Sequence, residues 1–254
     1  MAAVIDRTIH PGRGTPEDAW MACAALRDAP PTSAAQLVPM RSRAVVVAPH
    51  PDDEVLAVGG LMSQLARAGR RLALVAVTDG TASHPGSRLW PADRLGQERP
   101  REQARALSRL GVMDAEIHRL ALPDGGVQRL YLDLAERLVQ LFDEDDVVFT
   151  TWRMDGHPDH EAVGHACAWA AARTGARLVE VPVWGWHWAR PDDPRLPWHR
   201  ARRLELDEAT VQRKCAAMQA FESQLRPDAS TGAAPILDPG SVARAARPFE
   251  LMFA

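Results

Sequence analysis

The sequence predicts an α/β fold built on one mostly parallel, doubly wound sheet with helices on both faces. Three observations carry that expectation. Short apolar, β-branched runs alternate with amphipathic stretches of helical length from Arg43 onward. Glycines stand just past helical stretches, as Gly69 and Gly111 do. The chain has 254 residues, 46% hydrophobic and 25% charged, a size and make-up that suit one α/β core.

Residues 1–40 are rich in Pro, Thr and Ala. They read as an N-terminal extension with one helical patch over Pro16 to Arg27, where Thr15 can serve as N-cap and Pro16 as the first helical residue. Residues 41–254 read as the α/β domain. Its first unit is β-α-β: a strand at Ala44 to Val47, a helix from Glu54 to Ala68, and a strand at Leu72 to Val77. A polar segment from Thr78 to Pro91 leads to a helix at Gln97 to Leu110, a strand near Glu116 to Leu120, a helix at Val127 to Phe142 and a strand at Val147 to Thr150. Then come a helix from Asp159 to about Arg173, a strand at Arg177 to Val183, a Trp-rich loop, a strand at Arg202 to Leu206 and a helix at Asp207 to Phe221. After Arg226 the chain reads as loop until the apolar run Phe249 to Phe253. This alternation implies right-handed crossovers.

Composition narrows the function classes. A formal charge of −3, with 30 basic and 33 acidic residues, leaves no electrostatic footprint for nucleic acid. The longest apolar runs fall far short of the ~20 residues that span a bilayer. Residues 1–13 show no apolar stretch of the kind a secretory leader carries, which favours the cytoplasm. Cys23, Cys167 and Cys215 are odd in number and widely spaced, and are expected as buried thiols rather than disulfides or zinc ligands. No GxGxxG follows the first strand, so Gly59-Gly60 is no dinucleotide fingerprint.

In open α/β sheets the ligand crevice lies beyond the carboxyl ends of the strands. At the end of the first strand stands Ala48-Pro49-His50-Pro51-Asp52-Asp53-Glu54, four ionisable side chains stiffened by two prolines. Imidazole and carboxylate suit zinc, and His50 with Asp53 can converge across a turn entering a helix. A competing reading is that one aspartate caps the helix, which explains neither His50 nor the prolines. A receiver-type acidic cluster, with Thr78-Asp79, would need no histidines.

A second cluster follows the strand at Val147 to Thr150: Asp155-Gly156-His157-Pro158-Asp159-His160. His157 and His160 share one face of a helical first turn, so one can reach a metal while the other faces the substrate. His50, Asp53 and His160 make three ligands, the number that leaves a catalytic zinc an open position. Asp52 then suits a general base, and His157 an oxyanion stabiliser or acid. Asp159, ahead of Asp155, is the expected carboxylate partner of His157.

These two motifs, with Val77-Thr78-Asp79-Gly80, Arg101-Glu102, Leu122-Pro123-Asp124-Gly125, Lys214-Cys215-Ala216-Ala217 and Ser223-Gln224, resemble the PIG-L/LmbE family of zinc-dependent N-acetylglucosaminyl deacetylases over roughly residues 43–226. The resemblance implies a Rossmann-like sheet and zinc, or another divalent metal, on His50, Asp53 and His160. It also implies Asp52 as base, His157 as electrophilic or acid partner, and a small-molecule amino-sugar conjugate as substrate. Some relatives use an active-site tyrosine, and this chain has only Tyr131, midway in an expected helix. Alternatives are an amidase acting on a non-sugar or thiol-sugar intermediate, and a sugar-binding module, for which Asp52 and His157 would be superfluous.

Trp184, Trp186 and Trp188 offer faces for a sugar ring or acyl chain. They suit equally a half-buried strand or a contact in a homo-oligomer. Trp186, His84 in the polar segment after Asp79, Arg101 and Asp124 are the further substrate candidates. Arg94 is a candidate to support the site from behind its ligands; His165, His187 and His199 read as structural or surface residues.

Overall fold

The computed structural model describes residues 7–10, 12 and 14–254; the remaining positions of the expected extension lie outside the described residues. In chain order the elements are α1 (Glu17–Ala22), α2 (Ala24–Arg27), β1 (Pro31–Thr32), α3 (Ala34–Leu37), β2 (Ala44–Ala48), α4 (Asp53–Arg67), β3 (Leu72–Thr78), α5 (Ala92–Leu110), β4 (Glu116–Leu122), α6 (Tyr131–Leu141), β5 (Val147–Thr151), α7 (Pro158–Thr174), β6 (Arg177–Val181), α8 (Gly185–Trp188), β7 (Ala201–Glu205), α9 (Glu208–Met218), α10 (Glu222–Leu225), α11 (Pro239–Ala245) and β8 (Phe249–Phe253). They build one sheet in the order β1-β7-β8-β6-β5-β2-β3-β4, parallel except for β8.

The two-residue alternation of a strand explains the layers. In β2, Ala44, Val46 and Ala48 turn to the face covered by α4, α5 and α9, where Leu61, Leu65, Leu110 and Met218 fill the space. Val45 and Val47 turn to the opposite face, against Leu134, Leu138, Val163 and Ala166 of α6 and α7. Both faces are covered, so β2, β3 and β5 are buried at every position, as central parallel strands require. From β2 the order runs outward to β3 and β4 on one side and to β5 and β6 on the other. The crevice between β2 and β5 is therefore the topological switch point, where α/β sheets place ligands.

The structure departs from the sequence reading in several places. Residues 17–38, expected to precede the fold, are built into it. Strand β1 pairs parallel with β7, and Trp20 is fully buried, its Nε1–H donating to the Trp186 carbonyl at 2.8 Å. The helical patch is two short helices, with Pro16 rather than Thr15 at the first N-cap. Helix α5 begins at Ala92, before the expected start, and carries Pro100 inside it. It buries Arg99, Glu102 and Gln103, polar residues that an apolar-periodicity reading passes over. The tail is not loop alone. Asp238 caps α11 by accepting from the Ser241 N–H, Pro239 opens the helix, and β8 inserts antiparallel between β6 and β7.

Helix α4 kinks at Val58, whose backbone leaves helical values at φ −138° and ψ 24°. Glu250 of β8 receives the backbone groups there, accepting from the N–H of Gly60 at 2.7 Å and of Leu61 at 2.9 Å. Lys214 Nζ stands 2.6 Å from the same carboxylate and neutralises it. The close approach falls at a glycine: a Cβ on Gly60 would meet the Leu206 side-chain end at 2.6 Å and Glu250 Oε1 at 3.0 Å. Among the described residues, no helix is long and apolar enough to cross a membrane.

Trp20→Ala tests whether the N-terminal segment belongs to the cooperative core. A loss of roughly 3–5 kcal/mol in chemical denaturation is expected for a fully buried Trp. A change below about 1 kcal/mol, the size typical of surface positions, would show that residues 17–38 contribute little to it.

Candidate active site

Strands β2 and β5 pair directly and in parallel, so the residues that follow each emerge side by side. The turn after β2 is unusual: Asp52 holds φ 130°, ψ −29°, a region a side chain enters at a cost of about 1–3 kcal/mol. Although Asp52 occupies the N-cap position of α4, its side chain makes no capping bond, which sets the helix-cap reading aside. Asp53 is turned back instead. Its Oδ2 accepts from the His50 backbone N–H at 3.0 Å and lies 3.1 Å from His50 Nδ1 and 3.2 Å from His160 Nε2. His50, Asp53 and His160 form a group whose ligand atoms lie within 4.8 Å of one another.

His160 is fully buried and is aimed by Asp155, whose Oδ2 accepts from Nδ1 at 2.8 Å. The same carboxylate accepts from the backbone N–H groups of Val183, Trp184 and Gly185, so the Trp-rich turn and this histidine share one anchor. Nε2 of His160 is left without a hydrogen-bond partner, because its approach to Asp53 lacks hydrogen-bond geometry. A buried, oriented, unpartnered imidazole nitrogen facing a carboxylate and a second imidazole fits a divalent metal. On the far side of His50, Nε2 meets Asp124 Oδ1 at 3.1 Å and Asp159 Oδ2 at 3.5 Å.

Electrostatics follow from burial and pairing. Burial would lower the His50 pKa, but hydrogen bonds with Asp124, Asp159 and Asp53 raise it well above the ordinary value. His160 is likewise penalised by burial yet lifted to about 9 by Asp53 and Asp155. Burial works against an ionised Asp53, and the two histidines overcome it and hold Asp53 far below the usual range. Asp52 differs: burial drives it up to about 7, with Asp53 adding to the rise and Arg99 opposing it. His157 is pushed down to about 3 by burial and by the charges of His160 and His50, so its ring is neutral near pH 7. It is the N-cap of α7, and its Nδ1 accepts from the Asp159 backbone N–H at 3.2 Å. That contact assigns the proton to Nε2.

The pocket of about 380 Å³ over this cluster is lined by His50, Asp52, Asp53, Asp124, His157 and His160 together with Ser83, Arg99, Trp184 and Gln224. Three expectations require correction. The Asp159 carboxylate does not orient His157; it accepts from the Gly125 and Val127 N–H groups and faces His50, so only its backbone serves His157. Arg101 projects to solvent beside Glu98, with its side chain 64% exposed. Two residues earlier, Arg99 is buried and donates to Asp52 Oδ2 at 3.1 Å, to the Pro51 carbonyl and to the Gly80 carbonyl. Gly80 has φ 66°, and a Cβ there would collide with the Arg99 guanidinium.

The third correction concerns Trp186, which is core. Its ring packs edge-on against Trp20 at 4.9 Å, and Trp184 is the tryptophan that reaches the pocket. The Trp stretch is a turn of helix, α8, rather than a strand. His84 sits beside the pocket residue Ser83, with Nδ1 2.9 Å from its hydroxyl. Tyr131 lines a different groove, near Gly156 and Pro158. Sequence reasoning placed Ser223-Gln224 only within the family likeness. Gln224 is buried at the pocket wall with Oε1 unpartnered, its amide donating to Ser223 Oγ at 2.8 Å.

A switch-point crevice holding a His/Asp group that could bind a metal, beside a buried carboxylate of raised pKa, is an arrangement suited to metal-assisted hydrolysis in an α/β fold. The chain belongs to the PIG-L family, whose model, described as GlcNAc-PI de-N-acetylase, matches residues 45–171. It is similar to a 1D-myo-inositol 2-acetamido-2-deoxy-alpha-D-glucopyranoside deacetylase of Corynebacterium diphtheriae, 29% identical over 229 residues covering 72% of this chain and 76% of the relative. Among solved structures, the conserved protein TT1542 of Thermus thermophilus superimposes with a TM-score of 0.59 at 26% identity, over 83% of this chain and 93% of that one. The N,N'-diacetylchitobiose deacetylase of Pyrococcus horikoshii shares the fold, with a TM-score of 0.54, 18% identity and 73% of both chains covered.

If Asp155 orients His160 for a metal, Asp155→Asn should weaken zinc affinity by roughly 10–100-fold, read by competition with a chromogenic chelator. An unchanged affinity would detach Asp155 from the centre.

Proposed function

We propose that the protein is a metal-dependent N-deacetylase that removes an acetyl or similar acyl group from the nitrogen of an amino-sugar conjugate. Zinc is the metal best suited to the donors, and His50, Asp53 and His160 would hold it. The observation that carries the reading is Asp52: a buried carboxylate of raised pKa beside a His/Asp metal-type cluster, in a chain of this family. Bound there, a divalent ion supplies a Lewis acid that polarises the amide carbonyl and acidifies a water molecule.

The chain's own groups supply the rest. Asp52 takes the proton from the attacking water, and its raised pKa lets it hold that proton and pass it to the departing nitrogen. His157 presents Nε2–H to the oxygen that gains charge, because Nδ1 is already an acceptor. Its low pKa favours this hydrogen-bonding role over that of an acid. Asp124 and Asp159 fix the His50 ring through Nε2, leaving Nδ1 towards Asp53. Water adds to the amide carbon, the C–N bond breaks, and acetate and a free amine leave.

Two experiments test this. Amine release from a panel of N-acetylglucosamine conjugates should stop on chelation and return with zinc. Asp52→Ala should keep its metal and lose roughly 10²–10⁴ in kcat, whereas His160→Ala should lose the metal. Retained turnover in the first variant, or a full metal complement in the second, would overturn the assignments.

The pH profile gives a signed test. Asp52 acts as the carboxylate, so kcat/KM falls as pH drops through its pKa. The Arg99 charge lowers that pKa, so Arg99→Gln should move the acid limb upward, and a bound cation should move it downward. A limb that stays put in Arg99→Gln would assign it to another group.

A further inference from the structure

Beside the candidate active site, and sharing Leu56, Trp184 and Leu237 with it as a common wall, lies a second cleft closed by α11 and β8. Three cations line it, Lys214, Arg244 and Arg247. Two of them are matched. Lys214 stands 2.6 Å from Glu250, and Arg247 grips Glu17 with Nε at 2.6 Å and Nη2 at 2.7 Å. Arg244 is not matched in this way. Its side chain is only 9% exposed, and the nearest carboxylate oxygen, Asp238 Oδ1, is 4.0 Å away. That oxygen is already engaged by the Ser241 N–H at 2.7 Å, and Oδ2 faces His187 at 3.8 Å. Among the described residues, the Arg244 guanidinium donates one hydrogen bond, from Nη2 to Ser241 Oγ at 2.9 Å.

We propose that Arg244, with the Ser241 hydroxyl, forms an oxyanion subsite that takes a carboxylate or phosphate group carried by the substrate while the sugar occupies the neighbouring pocket. Most of the Arg244 donors are uncommitted, and none of its nitrogens is both buried and unpartnered, so these donors reach the solvent in the cleft, where an oxyanion can meet them through paired N–H···O bonds. Ser241 accepts from Arg244, which leaves its own O–H available to the same anion. The space inside, about 40 Å³, suits the head of a small oxyanion and not a second sugar ring. Burial pushes Arg244 down to about 10; Asp238 opposes the fall and Arg247 adds to it. The Trp and Leu walls give the cleft an apolar body that shields the contact from water. Helix α11 lies outside residues 45–171, the span of the family match.

The substrate assignment rests on the amide-hydrolase reading; the anion site does not. With metal-loaded protein, kcat/KM is measured for N-acetylglucosaminides bearing a phosphorylated or a neutral aglycone. The wild type should favour the phosphorylated conjugate by roughly tenfold or more. Arg244→Gln should bring the ratio close to one, chiefly through KM, and Arg244→Lys should keep part of the preference. A wild-type ratio near one, or a ratio unmoved in Arg244→Gln, overturns the proposal.

Should no conjugate be turned over, the hydrolase reading fails, and the subsite is read independently by titrating inorganic phosphate into chelator-treated protein while following Trp fluorescence. A saturable change lost in Arg244→Gln supports an anion site at this cleft. No saturable change, or the same change in the variant, removes it. Phosphate binding at Arg244 without any gain for the phosphorylated conjugate overturns the substrate assignment and leaves a site for free anions.

Discussion

One carboxylate oxygen, Asp53 Oδ2, lies between the His50 and His160 rings and so ties the turn after β2 to the helix after β5. Everything else at the site is arranged so that this oxygen can be buried and charged. Taking a carboxylate out of water costs several kcal/mol unless it is matched. The matching comes from two imidazoles, each oriented from behind by other carboxylates: Asp155 behind His160, Asp124 and Asp159 behind His50. The alternation of charge is continuous from Asp53 outward, and Asp52, its proton affinity raised by burial, lines the same pocket.

The same matching of buried charge governs the scaffold. The kink in α4 leaves backbone N–H groups that a regular helix would not expose, and Glu250 accepts them from across the sheet. Lys214 of α9 balances that carboxylate, so α4, α9 and β8 meet at one buried ion pair. The kinked helix carries Asp53 at its start, and its position therefore depends on residues almost two hundred positions later. Asp155 makes a comparable bridge, because one side chain holds both His160 and the backbone of the Trp-rich turn.

Much of this is legible from the sequence, for identifiable reasons. The strands of a two-faced parallel sheet are unbroken apolar runs, and ligand motifs at their carboxyl ends stand out because prolines and charges follow Val47 and Thr150 so closely. Polar burial on helices is not legible in the same way. Arg99 and Arg101 are two residues apart on α5, and composition cannot say which one turns inward. The register is set by Leu95, Ala106 and Leu110, which with Arg99 and Gln103 lie on the buried face. Trp184 rather than Trp186 reaches the pocket for a related reason, since a helical turn replaces the period-two alternation of a strand. The role of the N-terminal segment is hidden because Trp20 finds its partners, Trp186 above all, more than 160 positions away.

The position of β8 bears on how the molecule can be made. It is the last of the eight described strands in chain order, yet it lies between β6 and β7, and β1 is attached only through β7. A nascent chain leaving the ribosome can assemble β2 to β6 with the metal-type cluster already in place. The β7 and β1 edge joins the main sheet only through Phe249–Phe253, so the N-terminal segment that carries Trp20 is tied into the sheet by a strand more than two hundred residues later in the chain.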